Sequence, residues 1–249
     1  MYFFALLVCL SAALVRHYIV GYPSTTPMVP LGSQGLRVTR LGLGVMSAAF
    51  YGSGDAATDE AHSLAAIDKA VELSAPHPAF LDTAFIYSNP NGLHSESIIA
   101  KAIAKHGRDK FIIATKFGSS PTGGAPDSST ATIHKQYAES VARLGCTPDL
   151  YYQHRPDPKR SIKDVMADLK AMHSESKFKY IGLSECTPNE LRDAHAIFPV
   201  SCVQMEWSLA ERGIENTLVP ICKELGVSTA IITLATKFHP HRILTVIMA

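Results

Sequence analysis

The chain has 249 residues, 47% of them hydrophobic and 18% charged, a globular composition long enough to bury a core without covalent staples. A net charge of +1 with no long basic run argues against a nucleic-acid-binding protein or one held to an acidic membrane surface. The five cysteines, Cys9, Cys146, Cys186, Cys202 and Cys222, are odd in number and widely spaced, with no C-x-x-C, so a disulfide framework and a metal site are disfavoured and reduced thiols are expected.

Residues 1–27 read as a hydrophobic N-terminal extension. Tyr2–Val15 is almost wholly apolar and Arg16-His17 ends the run. It is too short for a comfortable membrane span, and it has the length of a signal-peptide core without a preceding positive charge. Two readings stand: residues 1–22 act as a signal peptide into the secretory pathway, or Met28 is the true start of a cytoplasmic protein. The second is favoured, because the chain from Met28 reads as a complete cytosolic N-terminus. A membrane role would require residues 2–15 to be kept as an anchor.

From residue 28 a short β-rich run alternates with a longer run of helical spacing. A small hairpin comes first, with Ser33-Gln34-Gly35 turning between Val29–Gly32 and Leu36–Thr39. The predicted strands are Leu41–Gly44, Phe80–Asp82, Phe111–Thr115, Leu150–Gln153, Tyr180–Ser184, Cys202–Glu206 and Val227–Ile232. Each is short and mostly apolar, as in a strand buried on both faces. The predicted helices are Thr58–Leu73, Glu96–Lys105, Ile133–Leu144, Ile162–Glu175, Asn189–Ile197 and Glu215–Leu225. Thr187-Pro188-Asn189-Glu190 is a strong helix start: a Thr cap, Pro at the first position and an acid near the positive helix end.

Strict alternation implies a parallel sheet, either an open doubly wound sheet or a closed barrel. The first strand ends Leu41-Gly42-Leu43-Gly44-Val45-Met46-Ser47, without the third Gly of a dinucleotide fingerprint, and this speaks against the open sheet. The expected fold is therefore an α/β protein with a TIM-type (β/α)8 barrel, incomplete at about seven of its eight strand–helix units. Residues 28–249 form this barrel, with a tail outside the pattern from about 228.

A barrel carries its active site at the C-terminal ends of its strands. The polar residues there are Asp82, Lys116, His154, Ser184, Glu185, Gln204 and Glu206, with Tyr87 in the second strand-to-helix loop. Each alone has an ordinary explanation: a cap, a solvated lysine, a satisfied histidine. Their convergence on one rim is harder to reach by chance. An ammonium near a phenol lowers its pKa from about 10, a carboxylate keeps the ammonium charged, and a neutral imidazole orients a carbonyl oxygen. Such a set protonates a developing alkoxide and suits carbonyl reduction by a nicotinamide cofactor.

The sequence resembles the aldo-keto reductases through Phe80–Tyr87 (FLDTAFIY), Ser95–Ile103 (SESIIAKAI), Ile113–Gly118 (IATKFG), Asp149–Arg155 (DLYYQHR), Tyr180–Glu185 (YIGLSE) and Val203–Ser208 (VQMEWS). The resemblance covers about 30–227 and implies NADPH-dependent reduction of aldehydes and ketones. It implies Tyr87 as proton donor, Lys116 and Asp82 as its tuning pair, and His154 as the carbonyl-orienting residue. It assigns Ser184 and Gln204 to the nicotinamide carboxamide, and Gly44 and Met46 to the nicotinamide end of the cleft. It implies a small-molecule carbonyl partner, with pyridoxal, sugar-derived and aromatic aldehydes all open, and no metal.

From about Ser228 the resemblance stops. Ile232 stands where the family has a Tyr for the nicotinamide to stack on, and the eighth strand and the 2′-phosphate ligands are not found. The tail His239–Ala249, with its His239-Pro240-His241, reads as unrelated sequence from a translated intron or a frameshift. A barrel lacking its eighth strand is expected to leave two unpaired edges. The alternative functional readings are therefore an inactive product of a misread gene, or a non-catalytic binding barrel like the related potassium-channel beta subunits. Gly118–Thr130 is expected to be either a solvated connector or a substrate-side lid.

Overall fold

A computed structural model describes residues 26–46, 55–89, 92–120, 123–208, 211–234 and 245–248. The apolar stretch Tyr2–Val15 and the His239-Pro240-His241 run lie outside them. The predicted hairpin is present, as β1 (Met28–Pro30) paired antiparallel with β2 (Arg37–Thr39). It plugs the N-terminal end of the barrel: Leu31, Leu36 and Val38 pack against Phe80, Leu150 and Cys202 from the barrel interior. Gly32 makes this approach possible. Its φ is +80°, and a Cβ there would lie 2.3 Å from the Ser201 carbonyl oxygen.

The parallel strands follow in order: β3 (Leu41–Gly44), β4 (Ala79–Asp82), β5 (Phe111–Phe117), β6 (Leu150–Gln153), β7 (Tyr180–Ser184), β8 (Cys202–Glu206) and β9 (Ser228–Leu234). The helices between them are α1 (Ala56–Ser74), α2 (Ser95–His106), α3 (Thr130–Leu144), α4 (Ile162–Ser174), α5 (Pro188–Ile197) and α6 (Leu218–Leu225). Thr187 caps α5 in a reciprocal capping box with Glu190, with Pro188 at the start, as the sequence predicts. Helix α6 begins three residues later than expected (218 against 215). Pro220, which lacks an N–H, then falls in the first turn, where none is needed, and Glu215 is free to accept from Trp207 and Arg212.

Neighbouring strands pair in register from β3 to β9, giving the TIM-type (β/α)8 architecture with seven parallel members. The expected pair of open edges is corrected. A tail strand, β10 (Thr245–Met248), enters the eighth position and runs antiparallel to both neighbours. Thr245 pairs with Gly44 on one side and Leu234 on the other, and the ring closes. The physical reason is that two edges carry unmet backbone donors and acceptors, which any nearby β-prone segment can satisfy. Thr245-Val246-Ile247 is such a segment, whatever its ancestry.

Strand periodicity divides the side chains into two cores. Outward residues such as Leu81, Ile113, Ile181 and Val203 pack under the helices, against Ile67, Ile98, Leu169, Leu191 and Leu218. Each such buried aliphatic contributes roughly 1.5–3 kcal/mol relative to exposure. Inward residues fill the barrel, with Phe80, Ala114 and Tyr152 below and the polar set above. The Gly118–Thr130 segment is tied down at its second half. Asp127 donates its N–H to the Gly118 carbonyl, and buried Ser128 donates its own to Asp157.

Candidate active site

Alternation along the strands aims the polar set inward. Asp82 on β4, Lys116 on β5, Ser184 on β7 and Gln204 on β8 are all buried. The sequence placed Lys116 just past its strand, but β5 continues to Phe117, and Lys116 pairs with Tyr152 inside the ladder. That keeps its side chain in the barrel interior and out of solvent.

The three N–H donors of the Lys116 ammonium all have acceptors. They are the Asp82 carboxylate, the Thr83 carbonyl at 2.8 Å and the Tyr87 hydroxyl. Gln204 donates to the other Asp82 oxygen at 2.9 Å. Lys116 Nζ also lies 5.2 Å from the Tyr87 ring centroid and 5.7 Å from that of Tyr152. Burial alone would lower the Lys116 pKa, but Asp82 and then Tyr87 outweigh it and hold the amine above its usual range. The ammonium is therefore charged at any ordinary pH.

Tyr87 sits in the turn after β4, and its backbone is held from two sides. Its carbonyl accepts from the Ser95 N–H at 3.0 Å, and the Ser95 hydroxyl lies 2.6 Å from that of Thr83. One turn earlier, the Phe85 carbonyl accepts from Arg143 on α3 and its N–H donates to the Lys116 carbonyl. Arg143 is in turn paired with Glu96, which is fully buried and also accepts from Thr115. The ammonium acts on the Tyr87 phenol in the expected direction, but it is not the largest influence. Burial raises it above its usual 10, and Lys116 opposes that without overcoming it. The phenol is held protonated, the form a proton donor needs.

His154 follows β6, with its backbone N–H on the Phe117 carbonyl at 2.8 Å. Its ring meets that of Tyr87 edge to face, with centroids 5.7 Å apart. Burial, then the cations Lys116 and Arg155, push its pKa down to about 2, so the imidazole is neutral. Among the described residues its buried Nδ1 has no hydrogen-bond partner. A stability prediction follows, because His154 takes up a proton below its unfolded pKa of 6.5 only when the chain unfolds. Stability from this group is complete above pH 6.5 and is lost as pH falls. The expected loss between pH 7 and pH 5 is roughly 2 kcal/mol. Urea unfolding of the wild type and His154→Gln at both pH values should show the variant losing that much less. Equal losses would contradict a neutral buried His154.

Of the remaining predicted residues, Ser184 accepts from Arg155 at 3.2 Å, and its hydroxyl proton is left to donate. Gln204 spends its amide N–H on Asp82, leaving its carbonyl oxygen. Gly44 pairs with Asp82 across β3 and β4, and Met46 packs against Ala84 and Tyr87. Glu185, at φ +56°, is held by its backbone to Gln204, and exposed Glu206 stands outside the cluster. The backbone of Ile232 is part of β9. Two contributors escape a reading of strand ends, Tyr152 and Gly182. Tyr152 floors the Lys116 pocket and bonds Cys202 at 2.8 Å. A Cβ on Gly182 would lie 2.3 Å from its ring, so only Gly fits there. Both lie two residues before rim positions, His154 and Ser184, and the period of two would have found them.

The described residues contain no group of three or more His, Cys, Asp or Glu placed to hold a metal, and no helix long and apolar enough to cross a membrane. Residues 40–236 match the family model described as the aldo/keto reductase family. A probable aldo-keto reductase of soybean, Glycine max, is 39% identical over 206 residues, which cover 80% of this chain and 56% of that protein. The chain thus spans little more than half the length of that relative. A solved glycerol dehydrogenase from Gluconobacter oxydans superposes with a TM-score of 0.69 at 25% identity, covering 84% of this chain and 63% of that one. The holo form of an aldo-keto reductase from Bacillus halodurans gives a TM-score of 0.69 at 28% identity, covering 83% and 65%. The family match extends to residue 236, past the point near 228 where the motifs fade. A barrel of this order, with this family's sequence along most of its length, places the chain in the aldo/keto reductase family.

Proposed function

We propose that the chain reduces aldehydes and ketones to alcohols with NADPH, using Tyr87, Lys116, Asp82 and His154, in the cytoplasm. One observation carries the reading. A buried, protonated phenol is hydrogen-bonded to a buried ammonium and packed edge-on against a neutral imidazole. In this reading His154 donates a hydrogen bond to the substrate carbonyl oxygen and orients it. Tyr87 gives its proton to the oxygen as negative charge develops there. Lys116 stabilises the phenolate left behind, and Asp82 with Gln204 keeps Lys116 charged and aimed.

The residues present fit a nicotinamide. Ser184 offers a donor and Gln204 an acceptor, the complement of a carboxamide, while Gly44 pairs with Asp82 and Met46 packs against Tyr87. When bound, NADPH supplies the hydride that adds to the carbonyl carbon. Steady-state assay of the full chain with NADPH and an aromatic aldehyde tests the proposal. Alcohol should form in step with NADPH consumed, and Lys116→Met should abolish it. No alcohol from the wild type, or undiminished turnover in Lys116→Met, would overturn the reading.

A further inference from the structure

Around the proposed reacting centre the charges nearly cancel. Asp82 and Lys116 form a neutral pair and His154 is uncharged. The charge left at the mouth belongs to Arg155, the next residue after His154 and exposed. Its Nη1 is anchored to the rim, donating to the His154 carbonyl at 2.9 Å and to the Ser184 hydroxyl at 3.2 Å. Those two contacts fix the guanidinium across the tops of β6 and β7. Among the described residues it forms no ion pair, and its Nε and Nη2 donors have no partner. That leaves one edge of a rigid fork presented at the mouth, the geometry that takes a carboxylate with two parallel hydrogen bonds. Its charge is felt at both Tyr87 and His154, so an anion held there stands close to the carbonyl-handling pair.

An arginine placed only for solubility would need no anchor. Here a flexible side chain is held by two rim acceptors beside the site, and no acid neutralises it. We propose that Arg155 is a specificity-determining residue that selects carbonyl substrates carrying a carboxylate, such as aldehyde acids, over uncharged carbonyls. The proposal rests on the reading of Tyr87 and His154 as the groups that handle the carbonyl. Bidentate recognition also predicts that a lysine replaces Arg155 poorly, because an ammonium supplies charge without the fork.

The test compares 4-carboxybenzaldehyde with its uncharged near-isostere 4-carbamoylbenzaldehyde on the full chain. The quantity read is the ratio of their kcat/KM values. Arg155→Gln should lower that ratio about tenfold or more, the effect of losing a hydrogen-bonded charge partner, and Arg155→Lys should recover only part of it. Rising ionic strength should lower the ratio in the wild type and barely move it in Arg155→Gln. An unchanged ratio in a folded Arg155→Gln would overturn the proposal. So would a loss confined to NADPH affinity, which would assign the guanidinium to the cofactor's diphosphate instead. If the wild type reduces neither aldehyde, the reductase reading fails, and calorimetric titration of the two compounds onto the cofactor-free chain still decides. Preferential binding of the carboxylate, lost in Arg155→Gln, would support the Arg155 site, and equal binding would overturn it.

Discussion

Tyr87→Phe is expected to lower kcat/KM for an aromatic aldehyde by about 10²–10⁴-fold, the usual contribution of a positioned proton donor. The substitution removes one hydroxyl. It keeps the ring that meets His154 edge to face and lies under Lys116, and it leaves the Ser95 contacts to the Tyr87 backbone in place. NADPH affinity should therefore change little, because Ser184 and Gln204 are untouched. Fluorescence titration of NADPH together with steady-state kinetics separates the two effects. Turnover near that of the wild type would remove Tyr87 from the mechanism. Equal loss of binding and turnover would mean that the change had damaged the site as a whole.

Arg143→Met is expected to destabilise the fold by about 3–5 kcal/mol, the cost of stranding a buried charge. Glu96 has no solvent exposure, and its partners are Arg143 at 2.6 Å and the Thr115 hydroxyl at 2.7 Å. Removing the guanidinium leaves the carboxylate with one neutral donor. It also removes the hydrogen bond to the Phe85 carbonyl and the cation over the Phe85 ring, at 4.4 Å. Phe85 lies two residues before Tyr87, so the turn that carries the Tyr87 phenol should loosen as well. Urea denaturation measures the first effect, and the double variant Glu96→Gln/Arg143→Met assigns its cause. Neutralising the stranded acid should recover a large part of the loss. A single-variant loss below about 1 kcal/mol would contradict the assigned role of the pair, given the usual range for broken buried pairs.

The seven parallel strands were legible because each is a short apolar run between turn residues, and their bounds shift by no more than two residues on folding. Asp82, Lys116, His154, Ser184 and Gln204 were legible for a related reason. A polar residue ending an apolar strand has few places to go except the rim of a barrel. Tyr152 and Gly182 were hidden because an aromatic and a glycine within an apolar strand look like ordinary core. Glu96 and Arg143 were hidden because acids and bases on helices usually face water, and only the tertiary packing buries this pair. The closing strand Thr245–Met248 was missed for a different reason. Family likeness carries no signal there, whereas an edge accepts a strand on hydrogen bonding alone.

The proposed reaction transfers a hydride from NADPH to a carbonyl carbon while Tyr87 supplies the proton. Mass spectrometry of the alcohol formed with stereospecifically 4-deuterated NADPH tests it most directly. The full chain should yield alcohol carrying one deuterium on the former carbonyl carbon, from one face of the nicotinamide only, and Tyr87→Phe should yield almost none in the same time. Alcohol without deuterium from either labelled epimer, or no alcohol from the wild type, would contradict the account.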